Sequence, residues 1–377
     1  MGIFSGGVTY IVPFLVVLTI LVFVHELGHY LVARRNGVRV EVFSIGFGPE
    51  LFGWNDRSGT RWKLSAIPLG GYVKMFGDAG AASMPGADLE SLTPAERAVS
   101  FHHKRLFQRA AVVAAGPIVN VVVAVVLLAA LFATVGEQFT PPRVGQVQAA
   151  AAAAAAGIKP GDVFLAINGS PVTRFEDVKR AVELNTGTPM TLLLRRGSQD
   201  VTLQATPKIT AFKDRFGNEH KLGLLGIESK GVDYIRRNPA QAVWRAVAET
   251  GNLTTGTLQA VWQMVIGARP ADEIGGPLRI AQMSGEVAQN GIVAALWFMA
   301  VLSVNLGLIN LFPIPVLDGG HLLFYAAEAI RGRPLGQRAQ EYGFRVGFAL
   351  VLTLMVFATW NDLIHLHIVA FLKGLMT

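Results

Sequence analysis

Val22-Phe23-Val24-His25-Glu26-Leu27-Gly28-His29-Tyr30-Leu31 ends an uncharged apolar run that begins at Val8, and it carries the pattern His-Glu-x-x-His. Residues four apart on a helix share a face, so His25 and His29 can hold one metal ion between them. Glu26, next to His25, can take a proton from a water that such an ion activates. Polar groups in so apolar a helix are costly unless something answers them. The stretch therefore asks for two things elsewhere in the chain: a third ligand, and a membrane that explains the apolar run.

The membrane is evident from composition. Of 377 residues, 51% are hydrophobic and 16% charged, too apolar and too weakly charged for an ordinary soluble protein. Ala110–Val135 and Ile292–Leu317 also lack charge, and Val346–Trp360 is a shorter run between Arg345 and Asp362. Each is near the ~20 residues that a helix needs to cross a bilayer. The expectation is a polytopic α-helical membrane protein with four transmembrane helices. No Lys or Arg precedes the first run, so it does not read as a signal peptide. There is no cysteine, which removes disulfides and thiolate ligands and leaves His, Asp and Glu, a donor set suited to catalytic zinc.

The net charge of +7 is spread in a way that speaks for a membrane, not for nucleic acid. Segment 34–109 has 11 Lys/Arg against 7 Asp/Glu, and segment 327–345 has 4 against 2. Short basic loops stay in the cytoplasm. That places the N-terminus and 136–291 outside, and 34–109 and 327–345 inside.

Read in order, residues 1–35 hold the first helix, and 36–109 a cytoplasmic or membrane-dipping region. Val38–Phe43 and Arg61–Ile67 alternate as strands do, with Gly46, Gly48, Pro49 and Gly53 between them. A small sheet or β-hairpin over 38–76 is expected, closing with Leu69-Gly70-Gly71-Tyr72-Val73-Lys74-Met75. Its free edge can bind an extended peptide by strand addition. Residues 77–100 read as a loose loop, and His102-His103 as interfacial. The second helix, 110–135, contains Gly116-Pro117 and Asn120, whose amide needs a partner on another helix.

Residues 143–208 read as a soluble α+β domain. A strand at Val144–Gln148, a helix in the alanine tract Ala149–Ala156, strands at Val163–Ile167, Thr191–Arg195 and Val201–Ala205, and a helix at Phe175–Leu184 are expected, with the turn Gly157-Ile158-Lys159-Pro160-Gly161-Asp162. Their order resembles one periplasmic PDZ domain of the bacterial type. Segment 209–237 is uninformative. A helix should start at Asn238-Pro239 and run to Ile266 near the membrane surface, with Trp244 and Trp262 as anchors. Asp272–Gly291 reads as a Gly-rich return, which completes a periplasmic, amphipathic helical post-PDZ segment, 209–291. The third helix, 292–325, is broken by Pro313 and Pro315 just before Asp318. It runs in the same direction as the first, so Asp318 falls at the depth of His25 and His29 and is the candidate third ligand. Two neutral imidazoles and one carboxylate leave a position for water. His321 reads as a neighbour. A loop at 326–345 and a fourth helix with its tail at 346–377 complete the chain.

Together these residues resemble the site-2 protease family of intramembrane zinc metalloproteases. The resemblance covers nearly the whole chain, through H-E-L-G-H, F-S-I-G-F-G-P, I-P-L-G-G-Y-V-K-M, G-P-I-V-N, the PDZ segment and N-L-G-L-I-N-L-F-P-I-P-V-L-D-G-G-H. It implies zinc on His25, His29 and Asp318, Glu26 as catalytic base, and Asn310 as a group that holds substrate or stabilises the oxyanion. Asn305, Gly70, Gly71 and Tyr72 are the expected substrate-binding residues. It also implies single-span membrane substrates of the anti-sigma factor type, with residual signal peptides as a second class, in a bacterial inner membrane. Better-studied members carry two tandem PDZ domains, whereas one is read here. Two other classes fit parts of the pattern: a non-enzymatic PDZ scaffold with a structural metal, which would need a fourth protein ligand, and a metal transporter, which would need polar groups along several spans.

Overall fold

The computed structural model describes residues 3–80, 86, 91–185, 187–213, 219–231, 233–267 and 275–365. The chain divides into two compact units, one made of Met1–Leu131 with Pro239–Thr377 and the other of Phe132–Asn238.

The first unit opens with α1 (Ile3–Arg35), apolar until His25 and closed by Arg34 and Arg35 in its last turn. Two long strands follow, β1 (Val40–Asn55) and β2 (Arg61–Met75). They form a bulged antiparallel hairpin. Val40–Ile45 pair with Gly71–Met75, and Glu50–Asn55 with Arg61–Ser65; Val42–Ile45 also lie beside Arg61–Leu64, residue for residue in the same direction. Val42–Ile45 are therefore internal, and Gly71–Met75 have one set of strand partners among the described residues. Val38, Val40, Phe43, Val73 and Met75 are buried with Ala33, Phe101, Val112 and Val113, which seats the sheet against the helices. At its other end Leu51, Phe52, Trp54 and Ile67 are exposed apolar residues. A helix α2 (Pro94–Val99), started by a Thr93–Glu96 capping box, occupies part of the expected loop; the remainder, 81–85 and 87–90, lies outside the described residues. Then comes α3 (Leu106–Thr134), with Pro117 inside it.

The second unit runs through β3 (Glu137–Phe139), β4 (Val144–Val147), α4 (Ala152–Ala155), β5 (Val163–Ile167), β6 (Ser170–Pro171), α5 (Phe175–Leu184), β7 (Met190–Arg196), β8 (Gln199–Ala205), β9 (Lys208–Lys213), β10 (Glu219–Leu224), β11 (Ile227–Ser229) and β12 (Asp233–Ile235). A four-stranded sheet has the order β6-β5-β7-β8; β11 pairs with β4, β12 with β3 and β10 with β9. Alternate residues of β7, Met190, Leu192 and Leu194, point into a core with Phe164, Ile167, Val178 and Leu225, as period-two alternation requires. Segment 209–237, uninformative as sequence, thus supplies strands that close the unit.

The first unit resumes with α6 (Pro239–Val265), α7 (Pro277–Gln289), α8 (Ile292–Leu311), α9 (Asp318–Arg331) and α10 (Gln337–His365). Most of Asp272–Gly291, read as a Gly-rich return within a helical segment, is α7. That helix is capped from a distance: the Asp362 carboxylate of α10 accepts from the backbone amides of Gly276, Leu278 and Arg279 at 2.9–3.0 Å, an anion at a helix N-terminus. The third helix, expected over 292–325 with a break before Asp318, is two helices, α8 and α9, separated at Phe312–Leu317. Among the described residues, four helices are long and apolar enough to cross a membrane, at Val8–Arg35, Leu106–Thr134, Ile292–Leu311 and Arg338–Ile364.

Candidate metal centre and its surroundings

Three donors from α1 and α9 meet. His25, His29 and Asp318 each offer an atom within 4.8 Å of the others. His25 Nε2 is 3.1 Å and His29 Nε2 3.5 Å from Asp318 Oδ2, and the two Nε2 atoms are 3.2 Å apart. Both histidines are 8% exposed. The Phe312–Leu317 break makes this possible. It turns the chain so that Asp318 begins a new helix, with Gly319 folded against the Leu311 and Phe312 carbonyls and Gly320 against Ile314 and Pro315, approaches that a side chain would block. Val316 is held at φ 95°, outside the usual range of a β-branched residue.

Helix α3 forms the wall behind the imidazoles. His29 Nδ1 donates to the Val112 carbonyl at 2.9 Å. That leaves Nε2 with its lone pair aimed at the other two donors. Gly28 lies so close to the Ala115 carbonyl that a Cβ there would sit at 2.7 Å, and a Cβ on Gly116 would meet His25 Cε1 at 2.8 Å and His29 Nε2 nearer still. Pro117 leaves a carbonyl of the preceding turn without its helical donor and bends the helix there. Asn120 is fully buried and its amide is 3.1 Å from His25 Nδ1; its expected partner on another helix is thus a candidate ligand. Gly307 of α8 packs on the Pro117 carbonyl, and Ser303 Oγ donates to the Asn120 carbonyl at 2.8 Å.

Asp318 Oδ2 is buried without a hydrogen bond. Two imidazole lone pairs and an unanswered carboxylate oxygen in one spot repel each other unless a cation lies between them. Two nitrogens, one oxygen and no sulfur fit zinc with a position left open.

A cavity of about 190 Å³ reaches these donors, lined by Glu26, Gly71, Tyr72, Asn310, Val316 and His321 among others. Glu26 faces it from α1. Gly71 on the sheet is tight against Glu26: a Cβ there would be 3.1 Å from Glu26 Cγ and 2.9 Å from Val22 Cγ1. Gly70 is not among the lining residues; its missing side chain makes room for the Phe47 ring. Asn305 is not among them either, and its Oδ1 accepts from Thr257 of α6 at 3.0 Å. His321 lies in the cavity with its ring 5.2 Å from that of Phe344, outside the three-donor group. The wall residues Val112 and Gly116 carry no ligating side chain, and the sequence marks this wall through Gly116-Pro117 and Asn120 in an apolar helix.

The comparisons with known proteins agree with this chemistry. Residues 13–354 match the model of peptidase family M50. A protein of Agrobacterium fabrum provisionally named a zinc metalloprotease is 52% identical over 94% of this chain and 95% of its own length. One of Rhizobium meliloti with a name of the same form is 48% identical over 96% and 99%. The metalloprotease MmpA of Caulobacter vibrioides is 39% identical over 99% of this chain and 100% of its own. The chain therefore belongs to peptidase family M50, and it is a zinc metalloprotease with multiple membrane helices.

Proposed function

We propose that this protein hydrolyses peptide bonds within or near transmembrane helices, with His25, His29 and Asp318 holding the zinc and Glu26 as the base. The convergence of three donor atoms within 4.8 Å, reached by a cavity that Glu26 lines, carries this reading. Bound zinc supplies Lewis-acid polarisation of a carbonyl and makes water nucleophilic near neutral pH. Glu26 accepts the proton lost by the attacking water and delivers it to the leaving amine. Asn310, which also lines the cavity, holds the substrate or its developing oxyanion through its amide N–H groups.

A helical substrate hides its amides in its own hydrogen bonds, so it must be drawn out locally before attack. The strand Gly71–Met75 supports a role in this: it borders the cavity and has strand partners from Val40–Ile45 alone among the described residues. An unwound segment added there gains main-chain hydrogen bonds in place of those it loses. The exposed apolar end of the same sheet suits contact with lipid.

By its resemblance to the regulator-of-sigma-E protease, the substrate class is single-span membrane proteins such as anti-sigma factors trimmed by an earlier cut, with remnant signal peptides as a second class. The second unit serves as a single PDZ domain that binds or filters substrate. The protein sits in a bacterial inner membrane, with its N-terminus and PDZ domain periplasmic and the zinc towards the cytoplasm. Cleavage of a single-span reporter by purified protein in detergent tests the reading. Glu26→Gln is expected to keep its zinc and lose roughly 10²- to 10⁴-fold in rate. A Glu26→Gln protein as active as the original would overturn the role of Glu26. Wild-type protein that binds zinc and cleaves no membrane reporter would favour the non-enzymatic scaffold.

A further inference from the structure

The Asn120 amide lies against His25 Nδ1, and the ligand role of His25 dictates how it must point. We infer that Asn120 is a positioning residue that turns its carbonyl oxygen to His25 Nδ1, accepts the proton there, and so fixes the tautomer in which His25 Nε2 is free to bind zinc. This rests on the ligand assignment above.

The two histidines are set up alike but answered differently. His29 Nδ1 faces the Val112 carbonyl at 2.9 Å, which can only accept, so its proton is on Nδ1. His25 Nε2 looks at the same point as His29 Nε2, with Asp318 Oδ2 3.1 Å away. To give its lone pair to an ion there, His25 must also carry its proton on Nδ1, and that proton needs an acceptor on the buried α3 side of the ring. The group at 3.1 Å is the Asn120 amide, placed with Nδ2 nearest and with Oδ1 buried and unpartnered. An amide nitrogen against Nδ1 would force the proton onto Nε2, into the ligand cluster. The two ends of an amide have the same shape, and their assignment follows from the hydrogen bonds they make. Exchanging them puts the acceptor against the Nδ1–H. The NH₂ then takes the place of Oδ1, so the benefit lies at His25. The position is closely surrounded: Asn120 is fully buried, its own carbonyl accepts from Ser303 Oγ at 2.8 Å, and a Cβ on Gly307 would lie 3.4 Å from the Asn120 Cβ. Partners of this kind orient a ligating imidazole and raise its basicity.

The test is zinc affinity of the full-length protein in detergent, by competition with a chromophoric chelator, which does not depend on turnover. Asn120→Leu, similar in size without an acceptor, is expected to weaken zinc binding roughly 10- to 100-fold. Asn120→Asp, which keeps an acceptor, is expected to stay within about threefold of wild type, since the acceptor and not the amide nitrogen is what His25 needs. Equal affinity in Asn120→Leu and wild type would overturn the inference. So would equal losses in Asn120→Leu and Asn120→Asp, which would make Asn120 a packing residue. Failure of the ligand assignment is separately visible, as His25→Ala binding zinc like wild type. Should Asn120→Leu not fold, nitrogen-15 spectra of histidine-labelled, zinc-loaded wild type decide: a proton on His25 Nδ1 supports the inference, and a proton on Nε2 contradicts it.

Discussion

Two aspartates, one in each unit, show how a carboxylate announces its purpose. Asp162 closes the G-x-x-P-G-D turn of the second unit, and its side chain is 1% exposed. Every direction is answered: Arg196 donates from Nε and Nη2 at 2.8 Å, and the Lys159 amide donates at 2.8 Å. Burial alone would favour the neutral acid, but these donors hold the carboxyl below the usual carboxylate range. Asp318 begins α9 beside two imidazoles that approach it with Nε2, and Oδ2 has no hydrogen bond. The first charge is complete within the fold. The second is complete only with a cation. A buried acid with all its partners is structural, and one facing lone pairs marks a binding site.

The contrast can be broken most sharply by removing each acid. Asp318→Ala should abolish reporter cleavage, by more than about 10³-fold, without lowering the denaturation midpoint of metal-free protein, because it relieves a crowd of lone pairs. Asp162→Ala should do the reverse. It leaves Arg196 half-buried and unpaired and destabilises the second unit by about 2–3 kcal/mol, read as faster amide hydrogen exchange across residues 143–205 of the full-length protein, with zinc content unchanged.

Much of this contrast is legible in the amino-acid sequence. His25 and His29 fall on one face because α1 is a continuous apolar helix, and Pro313 and Pro315 mark the break that frees Asp318 to start α9. Local signals also place α5, β5 and the start of α6. What escapes depends on distant partners. Helix α7 has no side-chain cap of its own, since its acid is Asp362 on α10, beyond the reach of any local pattern. Strands β11 and β12 exist because β4 and β3, some eighty to a hundred residues earlier, offer edges. The double pairing of Val42–Ile45 likewise depends on bulges that alternation does not encode. At the site, Gly116 and Val112 act through an absent side chain and a carbonyl, and Asn305, read from its motif alone, turns instead to Thr257.

Smaller perturbations sharpen the comparison. Gly116→Ala places a methyl group against both imidazoles and should reduce cleavage roughly 10- to 100-fold by displacing ligands rather than removing one; a normal rate would show that the wall yields. Gly71→Ala presses on Glu26 and Val22 and should lower kcat by about 10-fold, with zinc fully bound. The Asp162 pair also gives a pH signature. Folding lowers its pKa, so its stabilisation is present above the unfolded value near ~3.9 and is lost as pH falls through the lower folded value. Exchange protection of the second unit should fall in that acid range, and Asp162→Asn should flatten this part of the profile.

Zinc stoichiometry of purified wild type, His25→Ala, His29→Ala and Asp318→Ala, measured after dialysis against a weak chelator, bears most directly on the centre itself. The predicted result is one zinc per wild-type chain and close to none in each variant. A full zinc complement in Asp318→Ala would mean that α9 does not complete the site, and the assignment would fail.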